Sequence, residues 1–296
     1  MDVALVTCAA MPGLHPDDRQ LLLAMRAAGI QAEPAVWEDP HYDWSAVRLA
    51  VIRSAWDYSF RRDQFVAWAE RAARATTLWN SAQVVRWNTH KHYLCDLAER
   101  GVSAVPTVVL PAGSNTPLDG VLEGRGWSDA VVKAAVAQSG RYALFVPRDR
   151  RAAGRSHLAR LLPHEDMLVQ PYLPSVASKG ELSLVFVDGE CTHAVRKRAA
   201  PGEFRVHDDY GGTVELETPD EAHLATALAA LASVGEPVHY ARVDLVEGPS
   251  GSPMIMEFEL VEPELFFRWS PQAAARFTAT VAGYLQQPSN RGSHQL

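Results

Sequence analysis

Over the first third of the chain, short apolar runs of strand length alternate with segments in which apolar side chains return every three or four positions. Residues 3–7, 31–37 and 49–53 are runs of the first kind. Residues 16–28 and 63–75 are of the second, with Leu21, Leu22 and Met25 on one helical face and Phe65, Val66 and Trp68 on another. Asp17 and Asp18 favour the start of the first helix and Gly29 its end. Strand, helix, strand in this order predicts a parallel sheet covered by helices. A helix over 88–101 carries Lys91, a strand follows at 105–109, and the Gly-, Pro- and Ser-containing stretch 111–126 reads as a connector.

The middle third changes to strands, at 130–135, 142–146, 167–172 and 182–187. The last of these runs into Asp188-Gly189, a strong hairpin signal, and 191–196 is the expected return strand, so this part is predicted to be antiparallel. A polar hairpin near Gly211 and Gly212, a helix over 220–233, strands at 239–246 and 254–260, and a helix over 271–284 follow. The polar tail 288–296 is expected to fray. Four segments result: an N-terminal α/β domain at 1–86, a connecting helix and strand at 87–128, a small subdomain at 129–173 and a larger C-terminal one at 174–296.

Composition narrows the function. With 296 residues, 47% hydrophobic and 21% charged, the chain is long enough for two or three domains and too apolar to be disordered. Lys and Arg number 28 against 35 Asp and Glu, and the net charge of −7 disfavours nucleic acid or an anionic membrane as partner and favours a small substrate. No apolar run approaches the roughly 18 residues that span a bilayer, and the N-terminus lacks the basic flank of a signal peptide. Cys8, Cys95 and Cys191 are too scattered for a disulfide framework or a zinc knuckle, so a cytoplasmic location is expected. Cys8 reads as a small buried hydrophobe rather than a nucleophile. The opening is Rossmann-like, yet no G-x-G-x-x-G follows its first strand and no G-x-x-x-x-G-K-[ST] occurs in the chain.

The densest chemistry lies in the strand pair 239–246 and 254–260. Side chains alternate across a strand, so Arg242 and Asp244 share one face, and Glu257 and Glu259 share one face of the next strand. If the Gly- and Pro-containing stretch 247–251 turns the chain back, three carboxylates and a guanidinium converge. Anions gathered this way repel unless a cation neutralises them, and hard carboxylate oxygens suit magnesium. A solvated strand face is the plain alternative. Three successive cations, Arg196, Lys197 and Arg198, fit either a phosphate site or an edge strand blunted by charge, with Lys197 facing away from the other two.

In the order and spacing of these elements, from about Trp87 to Glu264, the chain resembles the ATP-grasp superfamily. The thirteen residues from Asp244 to Glu257 and the pair Glu257-x-Glu259 resemble its metal site, with Glu259 in place of the usual Asn. The resemblance implies an α/β ATP-grasp fold behind an N-terminal pre-ATP-grasp domain. It implies ATP and magnesium, or manganese, as cofactors, with Asp244, Glu257 and Glu259 as the metal ligands. Lys91 and Lys133 are implied at the α- and β-phosphates, Ser139 and Gly140 in a phosphate lid at 137–141, and Gln170, Pro171, Tyr172 and Leu173 at the adenine hinge. Glu181 is implied at the ribose and Lys197 or Arg196 at the γ-phosphate. Arg242 would meet the charge that develops as phosphate moves to a carboxylate.

Arg53 and Asp57 at a strand end, Glu262 after the last strand, Thr7-Cys8-Ala9, Asn80-Ser81 and Asn88 are similar to a small ATP-grasp group that includes the D-cycloserine-forming cyclo-ligase. That likeness implies Arg53, Asp57 and Glu262 around the carboxylate and amine of a small amino-acid-like substrate. The substrate implied is O-ureido-D-serine, activated as an acyl phosphate and closed on itself. Rival readings are an intermolecular carboxylate-amine ligase, an ATP-binding regulatory protein without turnover, and a hydrolase built on the carboxylates between Glu257 and Glu264. Stereochemistry and assembly into a homo-oligomer stay open. Asp244→Asn and Glu257→Gln are expected to stop turnover without unfolding the chain.

Overall fold

The computed structural model of the chain describes residues 1–206 and 210–287; the tail at 288–296, expected to fray, lies outside them. The chain begins with β1 (Val3–Thr7), α1 (Pro16–Ala27), β2 (Ala32–Val36), β3 (Leu49–Ser54), α2 (Arg62–Ala75), β4 (Thr77–Trp79), α3 (Ala82–Asn88) and α4 (Tyr93–Glu99). Its four strands form a parallel sheet in the order β2-β1-β3-β4. A second, antiparallel sheet in the order β5-β8-β6-β7 is built within β5 (Val108–Leu110), α5 (Leu118–Arg125), β6 (Ala130–Ala134), β7 (Leu144–Val146), α6 (Arg151–Leu161) and β8 (Met167–Pro171). The chain then runs through α7 (Pro174–Lys179), β9 (Glu181–Val187), β10 (Glu190–Arg198), β11 (Thr213–Leu216), α8 (Glu221–Ser233), β12 (Tyr240–Glu247), β13 (Pro253–Glu259) and α9 (Pro271–Gln286). Here the sheet is antiparallel in the order β11-β10-β9-β12-β13.

Period-two alternation decides which core each strand residue joins. Val3 and Leu5 of β1 pack with Leu21 and Met25 of α1 and Phe277 of α9, whereas Val6 joins Phe65 and Trp68 of α2 on the opposite face. In the third sheet Leu182, Leu184, Ala241, Val243 and Leu245 pack against Ala227 and Ala230 of α8. The alternate residues of β9 and β12 therefore face the other way, and these are the polar ones.

Several elements depart from the sequence pattern. The helix expected over 88–101 is only α4, with Lys91 in the turn that separates it from α3, which ends at Asn88. Helices α5 and α6 stand where a connector and an all-strand region were expected, because Gly120, Gly124 and Gly154 interrupt their sequences. Gly154 is a packing requirement: a Cβ there would lie 2.7 Å from Val146 Cγ1 and 2.8 Å from Leu118 Cδ2, so α6 meets β7 and α5 only without a side chain. β5, expected as a strand at 105–109, is the edge strand of the small sheet, and α9 packs on α1 rather than on its own sheet alone. Among the described residues no helix is long and apolar enough to cross a membrane.

The turn from α7 into β9 has the tightest backbone contact at the site. Gly180 adopts φ +76° and ψ −160°, and a Cβ on it would lie 2.2 Å from the Lys197 carbonyl oxygen of the neighbouring strand. Both conditions demand glycine. Gly180→Ala is expected to lower stability by about 2 kcal/mol or more, read as a lower urea midpoint; an unchanged midpoint would show that β9 and β10 can part there without cost.

Candidate active site

Strand register places the charged side chains in rows across one face of the third sheet. Asp244 lies opposite Glu257 across β12 and β13, and opposite Ser183 across β12 and β9. Arg242 lies opposite Glu259, and Lys197 opposite Glu181. Facing carboxylates destabilise a strand pair unless something neutralises them. A bulge in β13 follows at once: Asp244 pairs with Glu257 but Leu245 pairs with Ile255, so one residue is left over. It lets Ile255 and Phe258 both face the core while Glu257 and Glu259 face the site.

Cations from three segments answer the carboxylates. Arg242 grips Asp244 with two nitrogens, Nε on Oδ1 and Nη2 on Oδ2, both at 2.9 Å, and its Nη2 also donates to Glu259 Oε1 at 2.6 Å. Lys197 Nζ is 3.0 Å from Asp244 Oδ2 and also pairs with Glu181. Lys91 Nζ donates to Glu257 Oε1 at 2.8 Å and to the Ala137 carbonyl at 2.7 Å. Burial alone would raise the Glu257 carboxyl, but Lys91 and Lys133 outweigh it and hold it at about 2. Burial wins at Glu259, where neighbouring carboxylates reinforce it and push the group up to about 8. Burial likewise lifts Glu262 to about 7 against its hydrogen bond from Gln138. Lys133 is drawn down to about 8 by burial, since Glu257 only partly compensates.

These groups border one cleft between the second and third sheets. Its lining takes in Lys91, Lys133, Ser139 and Gly140 on one side and Gln170, Pro171, Tyr172 and Leu173 along the hinge. Glu181, Arg242, Glu257, Glu259 and Glu262 complete the positions expected from sequence. Asp244 and Lys197 lie just beneath, almost without exposed surface. Ser139 and Gly140 sit between the paired strands β6 and β7 with φ of +48° and +64°, so the loop at 137–141 is the turn of a hairpin on the cleft wall.

Three expected site residues are elsewhere. Arg196 points away from Lys197, as alternation requires, and its Nε donates to Glu217 Oε2 at 2.9 Å. Arg53 is wholly buried, with Nε on Asp18 Oδ1 at 2.9 Å and Nη2 on the Pro263 carbonyl at 2.5 Å. It supports the backbone beside Glu262 instead of lining the cleft. Asp57 accepts from Trp37 Nε1 at 3.0 Å and pairs with Arg61, because the short 3-10 turn Trp56–Phe60 rotates it outward. Trp56, Gln138, Glu264 and His15 line the cleft and were not singled out as site residues by sequence. A strand-end position was the signal for Trp56; nothing in the local pattern marks His15. Cys8 is buried, and burial raises its thiol.

The donor set suits a hard divalent cation. One oxygen each from Asp244, Glu257 and Glu259 can be chosen so that all lie within 4.8 Å of one another. Lys91 engages one oxygen of Glu257 and Arg242 one oxygen of Glu259, whereas both oxygens of Asp244 are already met by Arg242 and Lys197, so a cation at the cluster would share Asp244 with them.

Residues 3–80 match the family model for the N-terminal domain of D-cycloserine synthetase DcsG. The cycloserine biosynthesis protein DcsG of Streptomyces lavendulae is 37% identical over 96% of this chain and 99% of its own length. The crystal structure of D-cycloserine synthetase DcsG superposes with a TM-score of 0.88 at 36% identity, covering 97% of this chain and all of that one. An ATP-grasp RimK domain protein from Sphaerobacter thermophilus, at 20% identity and a TM-score of 0.70 over 97% of this chain and all of its own, shares the fold. Whole-length likeness at this level decides the matter: the chain belongs to the DcsG family of ATP-grasp ligases, which form carbon–nitrogen bonds.

Proposed function

We propose that the protein is a cyclo-ligase that converts O-ureido-D-serine to D-cycloserine with release of ADP, phosphate, CO2 and NH3. The observation that carries this reading is the conjunction, in one cleft, of two lysines, a three-carboxylate cluster and an end walled by the N-terminal domain, in a chain that matches a cycloserine biosynthesis protein throughout. Adenine would lie along the hinge 170–173, and Glu181 would accept the ribose hydroxyls. Lys91 and Lys133 would meet the α- and β-phosphates, and Lys133, which has no carboxylate within ion-pair distance among the described residues, would gain its partner there. Magnesium or manganese, held by Asp244, Glu257 and Glu259, would supply charge neutralisation for the triphosphate.

The substrate carboxylate attacks the γ-phosphorus and ADP leaves. Arg242, already aimed across the floor of the cleft, balances the charge that shifts towards the acyl phosphate. The substrate nitrogen bonded to oxygen then attacks the acyl carbon, a five-membered ring closes and phosphate leaves. Water finally removes the carbamoyl group as CO2 and NH3. An intramolecular nucleophile gains a large effective molarity, so the protein's task is to position and to neutralise. Glu262 and Glu264 suit the substrate's ammonium.

O-ureido-D-serine alone, with magnesium ATP, is expected to release phosphate in step with D-cycloserine identified by mass. Release only after a second amino acid is added would replace cyclisation by intermolecular ligation. No release and no ATP binding would overturn both. Glu257→Gln is expected to lower kcat by about a hundredfold or more with little change in melting temperature, because Lys91 keeps the Ala137 carbonyl as partner. Normal turnover would remove Glu257 from the metal site. Asp244→Asn behaves differently from the expectation drawn from sequence: it strips a fully buried charge from both Arg242 and Lys197, and is expected to cost about 3 kcal/mol of stability. A wild-type urea midpoint would show that those cations do not depend on Asp244.

A further inference from the structure

At the end of the cleft formed by the N-terminal domain the polar groups are mostly acceptors. Glu259, Glu262 and Glu264 line the cleft, Glu264 paired with Arg268. His15 is the contribution of the loop after β1, and every part of it but one is engaged. Its backbone N–H donates to Ser54 Oγ at 2.9 Å, and Ser54 in turn donates to Asp18 Oδ2 at 2.7 Å. Its ring lies against Trp56, centroids 4.7 Å apart, and Trp56 Nε1 donates to the Glu262 carbonyl at 3.0 Å. Its Nδ1 accepts the Asp17 N–H at 3.4 Å as the cap of α1. Accepting at Nδ1 fixes the tautomer: the neutral ring carries its proton on Nε2. That atom has no protein partner among the described residues, while the residue lines the cleft. His15 thus presents a held N–H donor to the cleft.

We propose that His15 is a specificity-determining residue whose Nε2–H donates to the carbamoyl oxygen of the substrate. The assignment rests on the cyclo-ligase reading and follows by elimination among the substrate's groups. The carboxylate must lie by Arg242 and the phosphate that activates it, and the ammonium matches the glutamates. The remaining strong acceptor is the carbamoyl oxygen, and His15 is the neutral donor opposite the carboxylates. Trp56 keeps the ring in place and packs beside the ureido plane.

Two substitutions separate the ring's two nitrogens. His15→Asn restores the cap at the position of Nδ1 but does not reach into the cleft; His15→Gln places an amide N–H near the position of Nε2. The probes are O-ureido-D-serine as substrate and O-amino-D-serine, the same skeleton without the carbamoyl group, as competitor. In the Asn variant KM for O-ureido-D-serine is expected to rise about tenfold while Ki for O-amino-D-serine moves less than about twofold, and the Gln variant is expected to recover most of the KM. An unmoved KM in the Asn variant, or an equal loss for both ligands, overturns the assignment of His15. A wild-type enzyme inert towards O-ureido-D-serine instead overturns the substrate reading beneath it.

Discussion

Two carboxylates that face each other across neighbouring strands, Asp244 and Glu257, set the terms for the rest of the cleft. Like charges in that position repel, and Asp244 has no solvent to disperse its charge. Cations must therefore be brought to them, two of the three from distant parts of the chain. Arg242 comes from the same strand, Lys197 from β10 two strands away, and Lys91 from the turn between α3 and α4. Lys91 is anchored there by its own N–H to the Ala135 carbonyl, so the small sheet's loop and the Glu257 carboxylate share one lysine. The cleft's closure and its charge balance are thus the same set of contacts.

The segment after β13 is fixed with similar care, by the N-terminal unit. Asn80 donates to the Tyr240 and Leu260 carbonyls and accepts the His239 N–H; Asn88 accepts the Leu260 N–H and donates to the Phe258 carbonyl. The Tyr240 hydroxyl lies within 3.0 Å of the Ile52, Trp79 and Val261 carbonyls, where the two units meet. Asp17 accepts the Phe267 and Arg268 N–H groups at 2.8 Å, and Arg53 holds Pro263. Buried amides and charges used this way satisfy backbone groups that a loop would otherwise leave unpaired. They also hold Glu262 and Glu264 towards the cleft, so the N-terminal domain shapes the acceptor end without supplying its acids.

What the sequence made legible is what strand periodicity encodes. Alternation placed Arg242 with Asp244, Glu257 with Glu259, and Lys197 opposite in direction to Arg196, and Asp188-Gly189 marked the β9–β10 hairpin correctly. The bulge at β13 was not legible, yet it fell at Met256, before Glu257, and left the carboxylate pair in phase. Arg53 and Asp57 misled because strand-end position says where a backbone goes, not whether a side chain finds an internal partner first. Asp18 and Arg61 are those partners, and neither is near in pattern. Helices α5 and α6 were hidden by glycines whose purpose, in the case of Gly154, is close packing between elements that the sequence does not show to be neighbours. His15 was invisible for the same reason: its role comes from Trp56, forty-one positions away.

Glu259 is the departure from the superfamily pattern, and the structure gives it a local answer. An Asn at that position would bring an oxygen ligand without charge; Glu brings the charge as well. The register sets Arg242 directly opposite, and the same Nη2 that binds Asp244 Oδ2 reaches Glu259 Oε1. The added anion is therefore met by the guanidinium, through one oxygen. Burial and three neighbouring carboxylates favour the protonated acid, while Arg242 and a bound cation favour the carboxylate. Arg242 and Lys197, by contrast, hold Asp244 ionised against its complete burial. Within one cluster, Asp244 is the anion that its paired cations keep charged and Glu259 the one that burial pushes towards the neutral acid.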